Sequence, residues 1–144
     1  MITQFKNEYR WLSNFHVLSN PIEYMGLSYT TTEHFYQAMK CDNDEQIGFI
    51  SRLKTPAEAK KAGRKISIRK DWDSIKLEVM LYAQRQKYKN EELKTMLLET
   101  GDKHIQEGNY WNDRFWGVCL KTGEGENNLG KIIMYVREEI KASQ

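Results

Sequence analysis

Residues 16–40 read HVLSNPIEYMGLSYTTTEHFYQAMK, and a change of pattern inside this stretch sets the fold class. Its first half, residues 16–30, carries short apolar groups broken by Asn20-Pro21 and by Gly26. Proline and glycine placed this way punctuate short strands, so the reading is a β-hairpin. Thr31 and Thr32 then stand before EHFYQAMK. Either hydroxyl suits a helix N-cap, and Glu33 falls in the first turn, where negative charge is favoured. A hairpin that runs straight into a capped helix begins an α+β chain rather than an alternating βαβ one.

The rest of the chain extends that reading. A second helix is expected over about residues 43–53. Thr55-Pro56-Ala57-Glu58 is a start signal of a different kind: an N-cap threonine, proline at the first helical position and a glutamate spaced for a capping box. Gly63 should end that helix. Asp71 reads as the cap of a long helix reaching about Tyr88. Its apolar residues fall on two sides, Ile75, Val79 and Tyr82 against Leu77, Leu81 and Tyr88, which predicts a central, buried helix. Residues 91–98 form a shorter helix. Residues 103–122 read as strands and loops, and Leu129, Ile132, Ile133, Val136 and Ile140 mark an amphipathic last helix. The expectation is an α+β fold, a mostly helical single domain over residues 1–144 with a small antiparallel sheet near the N-terminus and around 103–120. No Rossmann pattern is present.

Composition narrows the function classes. With 144 residues, 40% hydrophobic and 29% charged, the chain can bury a core without disulfides or metal. No run approaches the roughly 18 apolar residues of a membrane span, and MITQFKNEYR lacks the apolar stretch of a signal peptide, so a cytoplasmic protein without membrane partners is expected. Cys41 and Cys119 then read as reduced thiols. They and the scattered His16, His34 and His104 offer no local ligand spacing, so no metal site is expected. The net charge of +2 is too mild for a dedicated nucleic-acid protein, yet residues 52–70 hold eight basic side chains against Glu58 alone. Such a segment is either a solvated face or a seat for phosphate groups.

Chemistry-bearing residues gather in four places. On the helix after Thr32, Glu33, Gln37 and Lys40 fall within an arc of about 60°, with Phe35, Ala38 and Met39 opposite. Spacing alone favours a polar stripe in water. If the stripe lines a pocket instead, the carboxylate can move protons and the amine can attack carbon to form a Schiff base. Arg10-Trp11-Leu12-Ser13-Asn14-Phe15 offers packing or an anchor, through Arg10 and Asn14, for a phosphate or base. Asp71 reads as a cap, and Trp72 as core or as a stacking surface. Asp113-Arg114-Phe115-Trp116-Gly117 sets an acid beside an aromatic, which suits a raised-pKa acid or a turn residue equally well. The glycine-rich run from Gly123 to Gly130, with Asn128, opens a helix whose N–H groups could meet a phosphate.

In order along the chain, Trp11-Leu12-Ser13-Asn14-Phe15, Glu33-His34-Phe35-Tyr36-Gln37-Ala38-Met39-Lys40, Thr55-Pro56 through Gly63-Arg64, Arg69 with Asp71-Trp72, Thr100-Gly101-Asp102, Asp113 with Trp116-Gly117, and Asn128-Leu129-Gly130-Lys131 with Met134 and Arg137 resemble the YbiA-like or NADAR family. The resemblance implies an α+β N-glycosidase that needs no metal or cofactor. It implies catalytic roles for Glu33 and Lys40, with Asp113 as a further candidate and lysine attack at ribose C1 through an imine. Arg10, Asn14, Gln37, Arg64, Arg69, Trp72, Trp116, Gly117 and Asn128 are the substrate-binding candidates. Within the family, some members cleave phosphoribosylaminouracil intermediates of riboflavin synthesis and others remove ADP-ribose from guanine in nucleic acid. The expected partner is therefore a phosphorylated ribosylamine or an ADP-ribosyl substrate, with ADP-ribosylated nucleic acid as the alternative. A non-enzymatic ADP-ribose or nucleotide-binding module is the remaining alternative.

Overall fold

The structure is a computed structural model that describes residues 1–144. Two compact units are built from the chain: residues 14–90, and residues 1–13 together with 91–144.

In the first unit the hairpin forms as read. Strands β1 (Ile22–Tyr24) and β2 (Leu27–Tyr29) pair antiparallel, Ile22 opposite Tyr29 and Tyr24 opposite Leu27. Met25 and Gly26 both take positive φ, +50° and +83°, the turn whose twist matches two right-twisted strands. Helix α1 (Thr32–Met39) follows. Thr31 is its cap, accepting the His34 N–H at 3.1 Å. Asn43 caps α2 (Asp44–Ser51), and Thr55 and Glu58 close a full capping box at the start of α3 (Pro56–Ala62). A cap of this kind contributes about 1 kcal/mol to its helix. Phe35 leaves α1 to meet Tyr24, Tyr29 and Tyr82, each with ring centroids 5.3–5.5 Å away.

Two expectations for α4 (Trp72–Lys87) are corrected. Asp71 makes no side-chain capping bond; its carboxylate takes the Arg69 guanidinium at 2.6 and 3.1 Å instead, because a charged donor two residues away outcompetes the helix N–H groups. The helix is also not buried on two sides. Its buried stripe is Trp72, Met80, Ala83, Gln84 and Lys87, while Leu77 remains 46% exposed.

In the second unit a 3-10 helix (Asn7–Leu12) buries Trp11 and Leu12. Helices α5 (Glu91–Glu99) and α6 (Asn128–Ala142) bury Leu93, Leu97, Leu129, Ile133 and Val136. Arg137 on α6 is buried and donates to Thr100 Oγ1 and Lys103 O, both at 2.9 Å. Strands β3 (Gly108–Asn109) and β4 (Val118–Cys119) pair parallel, not antiparallel as expected for 103–120. The intervening residues 110–117 form an irregular, bent loop. The architecture is the α+β, mostly helical one read from the sequence, with its antiparallel sheet reduced to the hairpin. No helix is long and apolar enough to cross a membrane.

Candidate active site

The polar stripe of α1 is not in water. Glu33 is 8% exposed and Gln37 6%, and Lys40 at the helix C-terminus is half-buried. Lys40 lies seven positions after Glu33, about 10 Å of helix rise, and the carboxylate still acts on the amine through its charge. Gln37 sits between the two on the same face. Its Nε2 donates to Glu33 Oε2 at 2.6 Å.

Each end of the helix is fixed from outside. At its start, the Glu33 N–H donates to Asn14 O at 3.1 Å, and Asn14 Oδ1 accepts from both Thr32 Oγ1 and Gln84 Nε2 at 2.8 Å. Asn14 is thus spent on holding the first turn. Next to Glu33, His34 is wholly buried. Its Nε2 lies 2.9 Å from Leu53 O, and a carbonyl only accepts, so Nε2 carries the proton. Nδ1 then accepts from Thr31 Oγ1 at 2.7 Å. This is a neutral imidazole, and burial keeps its pKa below the ordinary value. At the far end, residues 40–42 pair with 67–69: Arg69 N–H donates to Lys40 O at 2.9 Å, Cys41 bridges Ile68, and Asp42 N–H donates to Ser67 O at 3.1 Å.

The Lys40 amine donates to Gly63 O, 3.2 Å away at the end of α3. Burial is the main cause holding its pKa below the usual lysine range, and Arg64 pushes the same way, while Glu33 and Cys41 oppose them. A larger fraction of unprotonated amine at neutral pH is what a nucleophilic lysine needs. Gly63 leaves room for its neighbour. A Cβ there would run into Gln37 Oε1, the other end of the amide that holds Glu33.

Asn14, Glu33, Gln37, Lys40, Arg64, Arg69 and Trp72 all belong to the unit of residues 14–90. Arg64 is exposed and acts on Lys40 electrostatically. Arg69 is committed to Asp71. Trp72 is 7% exposed and meets Tyr36 edge-on at 5.1 Å, so it is a packing residue of the α1–α4 contact. A separate groove of about 570 Å³ lies between α2 and α3, with Phe49, Leu53 and Ile66 among its apolar lining and Arg52, Lys61 and Lys65 at its walls.

Arg10, Asp113, Trp116, Gly117 and Asn128 belong to the other unit. Arg10 is exposed at the end of the 3-10 helix. Asp113 Oδ1 accepts the N–H groups of Phe115 and Trp116 at 3.1 and 2.9 Å, and Asn109 brackets its backbone through Asp113 N and O. Of the two readings left open for Asp113, the turn residue is what this geometry displays. Trp116 lies edge-on to Phe115 at 4.8 Å, and Gly117 is buried where a side chain would strike Glu107 and Asn109. The N–H groups of Asn128 and Leu129 donate to Phe115 O and Trp116 O. The start of α6 therefore has its first donors occupied, against the reading of a phosphate seat there.

Sequence reasoning overlooked Lys87. It is wholly buried on α4, with its amine 5.4 Å from the Tyr88 ring centre, and burial pushes its pKa down to about 7. Its spacing from Met80, Ala83 and Gln84 was the available signal, a lysine in phase with a buried stripe. Lys87 is the more perturbed amine, but with no exposed surface it has no access to a substrate, and Lys40 has. Gly63 reads from the sequence as a helix stop and as part of the motif over residues 55–64, and neither reading ties it to Gln37 or to the Lys40 amine. No cluster of three or more His, Cys, Asp or Glu side chains could hold a metal ion.

The NADAR domain family matches residues 2–141, across both units. An N-glycosidase YbiA of Shigella flexneri is 35% identical over 93% of this chain and 83% of its own. An N-glycosidase of Nostoc punctiforme is 39% identical over 78% of this chain and 75% of its own. A riboflavin biosynthesis protein of Vibrio vulnificus is 37% identical over 91% of this chain, which spans 35% of that longer protein. The NMR structure of Escherichia coli YbiA superposes with a TM-score of 0.84 at 32% identity, covering 99% of this chain and 88% of the other.

Proposed function

Because this chain belongs to the NADAR domain family, we propose that it is an N-glycosidase that hydrolyses the C–N bond of a phosphorylated ribosylamine, a phosphoribosylaminouracil of riboflavin synthesis, with Lys40 as nucleophile. The observation that carries the reading is a half-buried amine of lowered pKa on the same helix face as a buried carboxylate. In the first step Glu33 moves protons as the sugar ring opens, leaving C1 bonded to the base nitrogen as an imine. The neutral Lys40 amine adds to C1, the base nitrogen takes a proton, and the C1–N bond to the base breaks, leaving a Lys40 imine. Water adds to that imine, ribose 5-phosphate departs as the aldehyde, and the amine is restored. Arg64, beside Lys40, is suited to the phosphate of the sugar.

The test is borohydride trapping. Wild-type protein incubated with substrate and borohydride should gain one reduced sugar adduct on Lys40, and Lys40→Ala should lose both the adduct and at least about 10³-fold in rate. Full activity in Lys40→Ala, with nothing trapped in wild type, refutes a covalent lysine.

One observation supports a second substrate for the same chemistry. Arg52, Lys54, Lys61, Arg64, Lys65 and Lys70 are exposed along residues 52–70, and none forms an ion pair with a carboxylate. ADP-ribosylated nucleic acid would use them as phosphate contacts, and its binding would weaken steeply with salt. Release of sugar from the two substrates, compared side by side, decides between them.

A further inference from the structure

One residue, Gly63, touches both halves of the site. Its carbonyl takes the Lys40 amine at 3.2 Å, and its missing side chain leaves the space that Gln37 Oε1 fills. Its own φ of −61° is open to any residue, so the glycine is not there for backbone freedom. Gln37 is 6% exposed, and its Oε1 has no hydrogen-bond partner. A buried acceptor left bare costs free energy, so the other end of the amide must recover it. That end is the 2.6 Å bond from Nε2 to Glu33 Oε2. The orientation is dictated by chemistry. Turned the other way, the amide would set its oxygen against a carboxylate oxygen, which is tolerable only if Glu33 is protonated.

We infer that Gly63 and Gln37 are positioning residues that keep Glu33 ionised, so that Glu33 enters the reaction as a proton acceptor. The inference rests on the glycosidase reading for its consequence but not for its geometry. An N–H donor stabilises the charged form of the carboxylate. Removing it makes Glu33 easier to protonate. Putting a methyl group on Gly63 does the same at one remove, by pushing the amide out of place. The anchor of the Lys40 amine lies on the same residue, so any shift of Gly63 is felt by amine and carboxylate together.

The experiment follows the Glu33 carboxyl carbon by NMR across pH in the substrate-free protein, for wild type, Gln37→Met and Gly63→Ala. Both variants should titrate at higher pH than wild type, by about one pH unit, a tenfold change in proton affinity. The acid limb of kcat/KM should move up with them, which a merely structural role would not produce. An unchanged midpoint in Gln37→Met overturns the inference. So does a midpoint that moves in Gln37→Met but stays put in folded Gly63→Ala. Should Gly63→Ala fail to fold, Gln37→Ala provides the room: the double variant must then be about as stable as Gln37→Ala alone, and equal failure of the double variant refutes the collision. Because the titration needs no substrate, it stands or falls apart from the trapping result on Lys40.

Discussion

Replacing Lys87 by Met should flatten the pH dependence of stability between about pH 7.5 and pH 9.5. In the folded protein burial pushes the Lys87 pKa down to about 7, while in the unfolded chain it returns to the ordinary lysine value near 10.4. Between those values the unfolded chain keeps a proton that the folded chain has released, so the stability contributed by this group rises with pH and is lowest below the window. Full release of one proton is worth about 1.4 kcal/mol per pH unit, and the wild type gains about 2.5 kcal/mol across the range named. The assay is urea unfolding followed by tryptophan fluorescence at fixed ionic strength, at both pH values, for wild type and Lys87→Met. Other titrating groups, such as the Cys41 thiol pushed up to about 11 by burial, act in both proteins and cancel. The difference in slope is the readout rather than the absolute stability, because removing a buried amine also strips its partners of an interaction. Equal slopes in the two proteins would mean that Lys87 keeps its proton inside the fold.

Asp113→Asn should fold with nearly wild-type stability, because an amide oxygen can still accept the Phe115 and Trp116 N–H groups, while Asp113→Ala should lose about 1–2 kcal/mol. Urea melts check this, and an activity loss in the Asn variant at unchanged stability is the mark of a catalytic carboxylate. Gly117→Ala should destabilise by about 1–3 kcal/mol, since the added methyl group meets the Glu107 backbone oxygen, which cannot swing aside. A melt within error of wild type would show that the loop yields.

The hairpin, the capped start of α1 and the capping box of α3 were legible because each is settled by residues a few positions apart. Asn20-Pro21, Gly26, Thr31 and Thr55 act on their own neighbours. Asp71 misled for the same reason: its local role as a cap lost to Arg69, an equally local but charged competitor. The polar stripe misled in the opposite way. Periodicity shows that Glu33, Gln37 and Lys40 share a face and says nothing of what covers that face. Only their membership in an ordered set of motifs pointed to a pocket wall.

The sequence by itself determined that this is an α+β chain of the NADAR family, and which helix carries its carboxylate and amine. The tertiary structure decided their surroundings. Burial lowers the Lys40 pKa, a 2.6 Å bond from Gln37 holds Glu33, and a glycine 23 positions from Lys40 anchors the amine and backs the amide. Secondary structure follows from interactions within a turn or two of the chain. Desolvation and a hydrogen bond across 23 residues depend on which surfaces are pressed together, and no local pattern encodes that.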